Sequence, residues 1–235
     1  MNVAYNEDCL SAMKRMQDKS FDLAVVDPPY YDNAYSIITP GGNLSTTGIE
    51  RRKYKMPHWE PPTQEYFDEL FRVSKEQIIW GVNYYPFLFE GCGRIVWDKV
   101  KDNGTTFSDC EIAYCSMIKH VMMFRFMWNG MLQGSSWDGT RANGNKQLNE
   151  VRIHPTQKPV ALYRWIYRKF AKPGDRVLDT HLGSGSSRIA AYEVGLDFTG
   201  YEIDREYFAA QEDRFEAYTA QQSLFLLETS PTEVG

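Results

Sequence analysis

Short apolar runs alternate along this chain with segments whose apolar residues recur at helical spacing. The runs predict strands over 2–5, 21–26, 77–80 and 94–97, a strand that ends at Asp179, and a strand over 198–202. Helical spacing predicts amphipathic helices over 10–16, 66–73, 162–170 and 187–194. The segments 110–117 and 120–128 are predicted to form an antiparallel pair. Strands that alternate with helices favour an α/β fold with a largely parallel sheet.

Length and composition favour one domain that spans residues 1–235. A chain of 235 residues with 43% hydrophobic residues can bury a large core. Two long segments lack a sustained period, 31–62 and 130–149, and the first contains the basic cluster Arg51-Arg52-Lys53 with Lys55. No apolar stretch is long enough for a membrane span, and no basic region followed by an apolar one opens the sequence. We therefore expect a soluble, cytoplasmic protein.

The tetrapeptide Asp27-Pro28-Pro29-Tyr30 directly follows the apolar run Phe21–Val26. The run predicts a buried strand that ends where Asp27 begins, and ligands of open α/β sheets bind at this carboxyl edge. Two prolines leave a stiff turn that offers carbonyl oxygens and no N–H of its own. Such a turn suits an exocyclic amino group on a planar base: Asp27 and the Pro28 carbonyl can each accept one N–H, while Tyr30 stacks on the ring.

A second informative block follows the strand that ends at Asp179. It reads Thr180-His181-Leu182-Gly183-Ser184-Gly185-Ser186 and continues into the helix predicted over 187–194. Strand, glycine-rich turn, helix and second strand form a β-α-β unit, and Glu202 stands at the end of its second strand. The glycines allow close approach of a ligand, and an acid 17 residues after Gly185 is placed to accept ribose hydroxyls. A nucleoside site is therefore predicted here.

The formal charge of −5 hides a gradient along the chain. Residues 141–176 hold nine basic and two acidic residues, a net charge of +7, whereas residues 202–235 hold two basic and eight acidic residues, a net charge of −6. A basic stretch of this kind is compatible with a polyanion on one face and equally with a solvated helix surface. Four cysteines show neither a Cys-x-x-Cys pair nor zinc-finger spacing, so we expect buried thiols and no metal.

Together these segments resemble the S-adenosylmethionine-dependent amino-methyltransferases of DNA, in the permuted order called the β group. In that order the Asp-Pro-Pro-Tyr block comes first and the glycine-rich block last, and here Asp27 precedes Gly183 by 156 residues. The resemblance implies a Rossmann-like methyltransferase fold with a mostly parallel seven-stranded sheet, one antiparallel strand and helices on both faces. It also implies double-stranded DNA as substrate, target-recognition loops within 31–62 and 99–150, and compatibility with a homodimer in a restriction-modification setting.

The resemblance also assigns roles to individual residues. The catalytic residues would be Asp27, Pro28, Pro29 and Tyr30, and the residues at the cofactor would be Asp8, Cys9, Thr156, Gln157, Lys158, Asp179, Gly183, Ser184, Gly185, Ser186 and Glu202. Asp8 and Cys9 would lie at the cofactor adenine, and Thr156 and Lys158, within His154-Pro155-Thr156-Gln157-Lys158-Pro159, would meet the methionine carboxylate. Asp179 would face the α-amino group, and Glu202 would hold the ribose.

The expected reaction is methylation of the N6 amino group of a flipped-out adenine. Cytosine N4 methylation uses the same geometry, but its enzymes favour serine where this chain has Asp27. RNA or protein glutamine methylation is disfavoured because those enzymes generally place the cofactor block first. A non-catalytic DNA-binding module on the same fold is a further alternative. A nicotinamide oxidoreductase is disfavoured because the third glycine of its fingerprint is missing.

Overall fold

A computed structural model describes residues 1–30, 60–85, 93–101, 108–129 and 132–229, with side chains described as far as residue 222. The basic cluster at 51–55 and most of the predicted loop 31–62 lie outside the described residues. Within the described ranges, no helix is long and apolar enough to cross a lipid bilayer.

The elements follow the alternation that the sequence predicts. The strands are β1 (Asn2–Tyr5), β2 (Phe21–Val26), β3 (Ser74–Trp80), β4 (Gly93–Asp98), β5 (Cys110–Cys115), β6 (Val121–Arg125), β7 (Trp128–Asn129), β8 (Leu132–Gln133), β9 (Arg176–Asp179) and β10 (Asp197–Tyr201). The helices are α1 (Cys9–Met13), α2 (Gln64–Val73), α3 (Val160–Phe170), α4 (Ser186–Val194) and α5 (Arg205–Thr229).

Within the described residues, the main sheet has eight strands in the order β1-β10-β9-β2-β3-β5-β4-β6. Of these eight described strands, β5 alone runs against its neighbours, because it pairs antiparallel with both β3 and β4 while the other pairs are parallel. The predicted α/β class and the single antiparallel strand are confirmed. The resemblance implied seven strands, whereas the main sheet of the described residues has eight.

The predicted antiparallel pairing of 110–117 with 120–128 is wrong. Strand β4 lies between β5 and β6 and pairs with both. The link between β5 and β6 passes the start of β4, where the Gly93 N–H donates to the Ile118 carbonyl at 2.7 Å. A Cβ at Gly93 would lie 2.5 Å from the His120 carbonyl oxygen, so glycine permits this crossing. The sequence pattern of two consecutive apolar segments does not show that an earlier strand, β4, lies between them in the sheet.

Strand β2 is buried on both faces, as expected for the centre of a parallel sheet. Leu23 and Val25 pack into a core that includes residues of α3 and α4, while Ala24 and Val26 pack into a second core with residues of α1 and α2. Helices therefore cover both faces, as predicted. Because β2 also pairs with β9, with Leu23 opposite Val177, the two chemically informative blocks emerge side by side at one edge of the sheet.

Candidate active site

The carboxyl ends of β2, β9 and β10 bring three acids to one sheet edge. Asp27 directly follows β2, Asp179 is the last residue of β9, and Glu202 directly follows β10. These strands are neighbours in the sheet, in the order β10-β9-β2. The strand pairing therefore brings the two sequence blocks to one edge of the sheet.

Asp27 does not stand alone at this edge. Its carboxylate accepts hydrogen bonds from the Tyr30 hydroxyl and from the Lys158 ammonium. Lys158 Nζ also lies 2.9 Å from Glu111 Oε2 and 3.1 Å from the Tyr30 hydroxyl. Glu111 in turn pairs with Lys99, at 2.6 Å. We call Asp27, Lys158, Glu111 and Lys99 the charge cluster; it contains two carboxylates and two ammonium groups.

Burial and mutual attraction set the protonation of this cluster. Burial raises the pKa of Asp27, and the Lys158 ammonium opposes that shift. For Lys158 burial lowers the pKa, but the two carboxylates outweigh it and hold the pKa above its usual value. Burial also works against ionised Glu111, yet Lys158 and Lys99 together lower its pKa to about 2. Lys158 and Glu111 are therefore charged at neutral pH.

The two prolines form the acceptor turn that the sequence predicts, and Tyr85 supports it. The Tyr85 hydroxyl donates to the Pro28 carbonyl at 2.9 Å. A carbonyl oxygen has two lone pairs, so Pro28 keeps one for a further donor. The ring of Tyr30 stacks on Tyr84 with centroids 4.9 Å apart and an interplanar angle of 11°. Gly81 makes room for Tyr30, since a Cβ there would lie 2.0 Å from the ring.

The glycine-rich turn places its backbone against Glu202. Gly183 and Gly185 have φ values of +52° and +71°, which favour glycine. The Gly183 N–H donates to Glu202 Oε2 at 2.8 Å, and the Asp204 N–H donates to Glu202 Oε1 at 2.8 Å. Burial raises the pKa of the Glu202 carboxyl. Each carboxylate oxygen keeps acceptor capacity, so the predicted contact with ribose hydroxyls fits this geometry.

Asp179 is held by its own turn. Its carboxylate accepts hydrogen bonds from the Ser187 hydroxyl and from the His181 N–H, the latter at 3.0 Å. Burial raises its pKa to about 7. An ammonium group placed against this carboxylate would keep it ionised, so the predicted contact with a cofactor α-amino group is chemically consistent and stays a prediction.

Asp8 and Cys9 begin α1 beside this edge. Asp8 caps the helix, because its carboxylate accepts from the Ser11 N–H at 2.8 Å. Cys9 is a free thiol whose pKa burial raises to about 12, so it is neutral at physiological pH. Their predicted place at a cofactor adenine stays a prediction.

The side chains of the segment before α3 make contacts with different parts of the protein. Thr156 Oγ1 lies 3.1 Å from His154 Nδ1, and burial lowers the pKa of His154 to about 3. The Gln157 side chain accepts from the Ile153 N–H at 2.9 Å and so holds its own loop. Lys158 instead turns to Asp27 and Glu111, partners that the sequence did not indicate. Contacts of Thr156, Gln157 and Lys158 with a cofactor stay predictions.

Ser184 and Ser186 contact an arginine of α5. The Arg214 guanidinium donates to the Ser184 carbonyl at 2.7 Å and to the Ser186 hydroxyl at 2.9 Å. The same guanidinium pairs with Glu150 at 2.9 Å, and Glu150 accepts from the Val160 N–H at the start of α3. This links the glycine-rich turn to α3.

Glu111 and Lys99 were not predicted from the sequence as site residues. One signal was present, because Glu111 is an acid within the otherwise apolar strand Cys110–Cys115. A charged side chain in a strand that lies between two others is rarely buried without a partner. That rule flags Glu111 but does not say which cation it meets.

Comparisons with known proteins agree with this architecture. The family model described as "DNA methylase", which covers N6 and N4 enzymes, matches residues 128–213. The Type II methyltransferase M.HinfI of Haemophilus influenzae is 23% identical over 245 residues, which cover 91% of this chain and 68% of that protein.

Two solved structures share the fold. The M1.HpyAVI complex with S-adenosylmethionine superposes with a TM-score of 0.54 at 19% identity, over 91% of this chain and 100% of that one. The cytosine-N4-specific PvuII DNA methyltransferase superposes with a TM-score of 0.56 at 14% identity, over 94% of this chain and 91% of that one. The chain therefore has the fold of S-adenosylmethionine-dependent methyltransferases. It resembles the DNA amino-methyltransferases, and these comparisons leave adenine and cytosine specificity open.

Proposed function

We propose that this protein is a DNA methyltransferase that transfers a methyl group from S-adenosylmethionine to the N6 amino group of adenine. One observation carries the proposal: the Asp-Pro-Pro-Tyr turn and the glycine-rich turn leave adjacent parallel strands at the same sheet edge. This juxtaposition places an acceptor for an amino group beside a nucleoside-type turn.

The residues at the glycine-rich turn suit this cofactor. S-Adenosylmethionine supplies, when bound, an electrophilic methyl group on a positively charged sulfur. Glu202 offers carboxylate acceptors for ribose hydroxyls, and Asp179 offers a buried carboxylate for an ammonium group. Gly183 and Gly185 carry no side chains, so the backbone at these two positions allows close approach of a ligand. An acidic and glycine-rich edge fits a ligand that carries hydroxyls and positive charge.

Asp27 and Pro28 would act on the nucleophile. The adenine amino group is a poor nucleophile because its lone pair is delocalised into the ring. Two acceptors, the Asp27 carboxylate and the remaining lone pair of the Pro28 carbonyl, would hold both N–H bonds and favour a pyramidal nitrogen. Asp27 would also stabilise the positive charge that develops on that nitrogen, and this charge would be lost when the methylated amino group releases one proton to solvent.

A target base inside a duplex cannot reach Asp27, so it would be flipped out. The stack of Tyr30 on Tyr84 shows that one face of Tyr30 accepts a planar ring. Tyr84 is 39% exposed. We infer that a flipped base takes the place of the Tyr84 ring on Tyr30.

We propose that part of the basic stretch at 141–176 contacts DNA, together with the loop that precedes it. Lys158 belongs to the charge cluster and Arg164 pairs with Glu193. These two cations form ion pairs inside the protein and are therefore not expected to contact DNA phosphates. Trp137 is 75% exposed, and the Arg141 guanidinium lies 5.6 Å from its ring. Hydrogen bonds of Ser135 and Thr140 to Asp138 hold this loop in shape. An ordered loop that presents an aromatic ring and a cation suits DNA contact.

Adenine is favoured over cytosine because Asp27 stands where cytosine-N4 enzymes favour serine. The fold does not separate the two, since the structurally similar PvuII enzyme is specific for cytosine N4. Cytosine N4 methylation therefore remains the second candidate function.

Tritiated methyl transfer tests the proposal. Unmethylated DNA, RNA and protein substrates are incubated in parallel with labelled S-adenosylmethionine, and the labelled DNA is digested to nucleosides. N6-methyldeoxyadenosine is the expected product. N4-methyldeoxycytidine would move the assignment to the second candidate, and label confined to RNA or protein would overturn it. Failure to bind S-adenosylmethionine in calorimetry would indicate a non-catalytic module.

A further inference from the structure

The charge cluster is assembled from four separate parts of the chain. Asp27 follows β2, Lys99 follows β4, Glu111 lies in β5 and Lys158 precedes α3. The side chains of Lys158, Lys99, Asp27 and Glu111 are only 4%, 15%, 16% and 19% exposed. Placing four charges in such an environment costs desolvation energy, and apolar side chains of similar size often stabilise a protein as well or better. Stability alone does not account for this cluster.

The cluster also presents a problem for the proposed reaction. Asp27 must accept an N–H and stabilise positive charge on nitrogen, yet the Lys158 ammonium already compensates its charge. Lys158 has three N–H donors, and among the described residues they meet oxygens of Asp27, Glu111 and Tyr30. A small shift of the ammonium towards Glu111 would release Asp27.

We propose that Glu111 is a positioning residue that holds the Lys158 ammonium when Asp27 engages the amino group of the target base. This inference rests on the proposed function and deepens it. Glu111 acts through Lys158 and does not touch the base. Lys99 anchors the far side of Glu111, so that its carboxylate stays in place as the ammonium moves.

The charges around Asp27 give this role a distinct signature. Tyr30 and Lys158 contact Asp27 directly, while Glu111 raises and Lys158 lowers its pKa through charge. Asp179 and Tyr163 are further groups within electrostatic reach of Asp27. Removing the negative charge of Glu111 should therefore make Asp27 easier to ionise. Removing the positive charge of Lys158 should make Asp27 harder to ionise.

The test compares the pH dependence of kcat on target DNA, at saturating cofactor, for the wild-type protein, E111Q and K158Q. Ionisation of Asp27 gives the acid limb of the profile. In E111Q the limb should move to lower pH by about one unit, while the plateau falls about tenfold because Lys158 loses its second carboxylate. In K158Q the limb should move to higher pH by about one unit. E111D should recover part of the plateau.

Asp109→Asn is the matched control, because the exposed Asp109 lies two residues from Glu111 and pairs with Lys101 instead. Its profile should match the wild type. Limbs that stay in place, or that move in the same direction in E111Q and K158Q, would overturn the proposal. If E111Q fails to fold, an E111D profile that matches the wild type, together with an unmoved limb in K158Q, would overturn it.

A second readout separates this inference from the proposed function. Titration of the Asp27 carboxyl by ¹³C NMR, assigned with D27N, needs neither DNA nor turnover. Opposite shifts of the Asp27 titration in E111Q and K158Q support the coupling, and equal or absent shifts contradict it. A wild-type protein that transfers no methyl group to any DNA would instead contradict the proposed function.

Discussion

The glycine-rich turn and the Asp-Pro-Pro-Tyr turn lie on neighbouring strands but hold their carboxylates in different ways. Asp179 and Glu202 accept hydrogen bonds from groups between two and 19 residues away in the sequence. Asp27 pairs with Lys158, which is 131 residues away, and Lys158 in turn meets Glu111. The first region is built by local chain geometry, whereas the second depends on the complete fold. Substitutions should therefore affect them differently.

The largest effect on stability is expected at Lys158. K158M leaves the carboxylates of Asp27 and Glu111 without their shared cation and should cost about 3–5 kcal/mol in the free energy of unfolding. Denaturant unfolding at neutral pH measures this loss. The loss should shrink as the pH falls, because protonated carboxylates need no cation.

Lys75→Met is the control for this prediction. Lys75 pairs with Asp22 at 2.6 Å, but its side chain is 56% exposed. Such a surface pair should contribute no more than about 1 kcal/mol. A K158M variant no less stable than K75M would show that the charge cluster is not an integrated part of the fold.

A smaller effect, confined to cofactor binding, is expected at Glu202. E202Q weakens the acceptor that the Gly183 N–H meets and removes a charge from the cofactor edge, so S-adenosylmethionine affinity should fall about 10- to 100-fold. Isothermal calorimetry measures the affinity, and kcat at saturating cofactor should change much less. A variant with unchanged affinity and a large loss of kcat would reverse the roles assigned to the two turns.

The smallest effect is expected outside both turns, at Trp137. W137A removes an exposed ring and should weaken DNA binding about fivefold, in line with the loss of one modest stacking contact. Fluorescence anisotropy with a labelled duplex measures this change, with exposed Leu148→Ala as a control in the same segment. Cofactor affinity should be the same in all three proteins. If W137A binds DNA as tightly as the wild type, the loop is not a DNA contact.

The contrast between the turns also explains how much could be predicted from the sequence. Strand β2, its Asp27 terminus and the glycine-rich β-α-β unit depend on local patterns, and the structure contains all of them. That the two blocks lie side by side is shown by the strand order of the sheet. Local patterns therefore identified the parts of the site, and the fold brings them together.

The remaining features depend on long-range contacts that no local pattern encodes. The position of β6 depends on the link between β5 and β6, which passes Gly93 at the start of β4. This crossing cannot be predicted without knowing where β4 lies in the sheet. The partners of Lys158 come from β2 and β5, so its neighbours in the sequence gave no sign of them. Two of the nine cations in the basic stretch, Lys158 and Arg164, form internal ion pairs, and their distant partners were likewise not indicated by the sequence around them.

The most direct test of the role of Asp27 is the single-turnover rate of Asp27→Asn on target DNA at saturating S-adenosylmethionine, with cofactor affinity measured on the same sample. We expect a rate at least about 100-fold below the wild type, because the charge that stabilises the reacting nitrogen is gone, while cofactor affinity stays within about threefold. An Asp27→Asn variant that transfers the methyl group at the wild-type rate would show that Asp27 is not the acceptor for the target amino group.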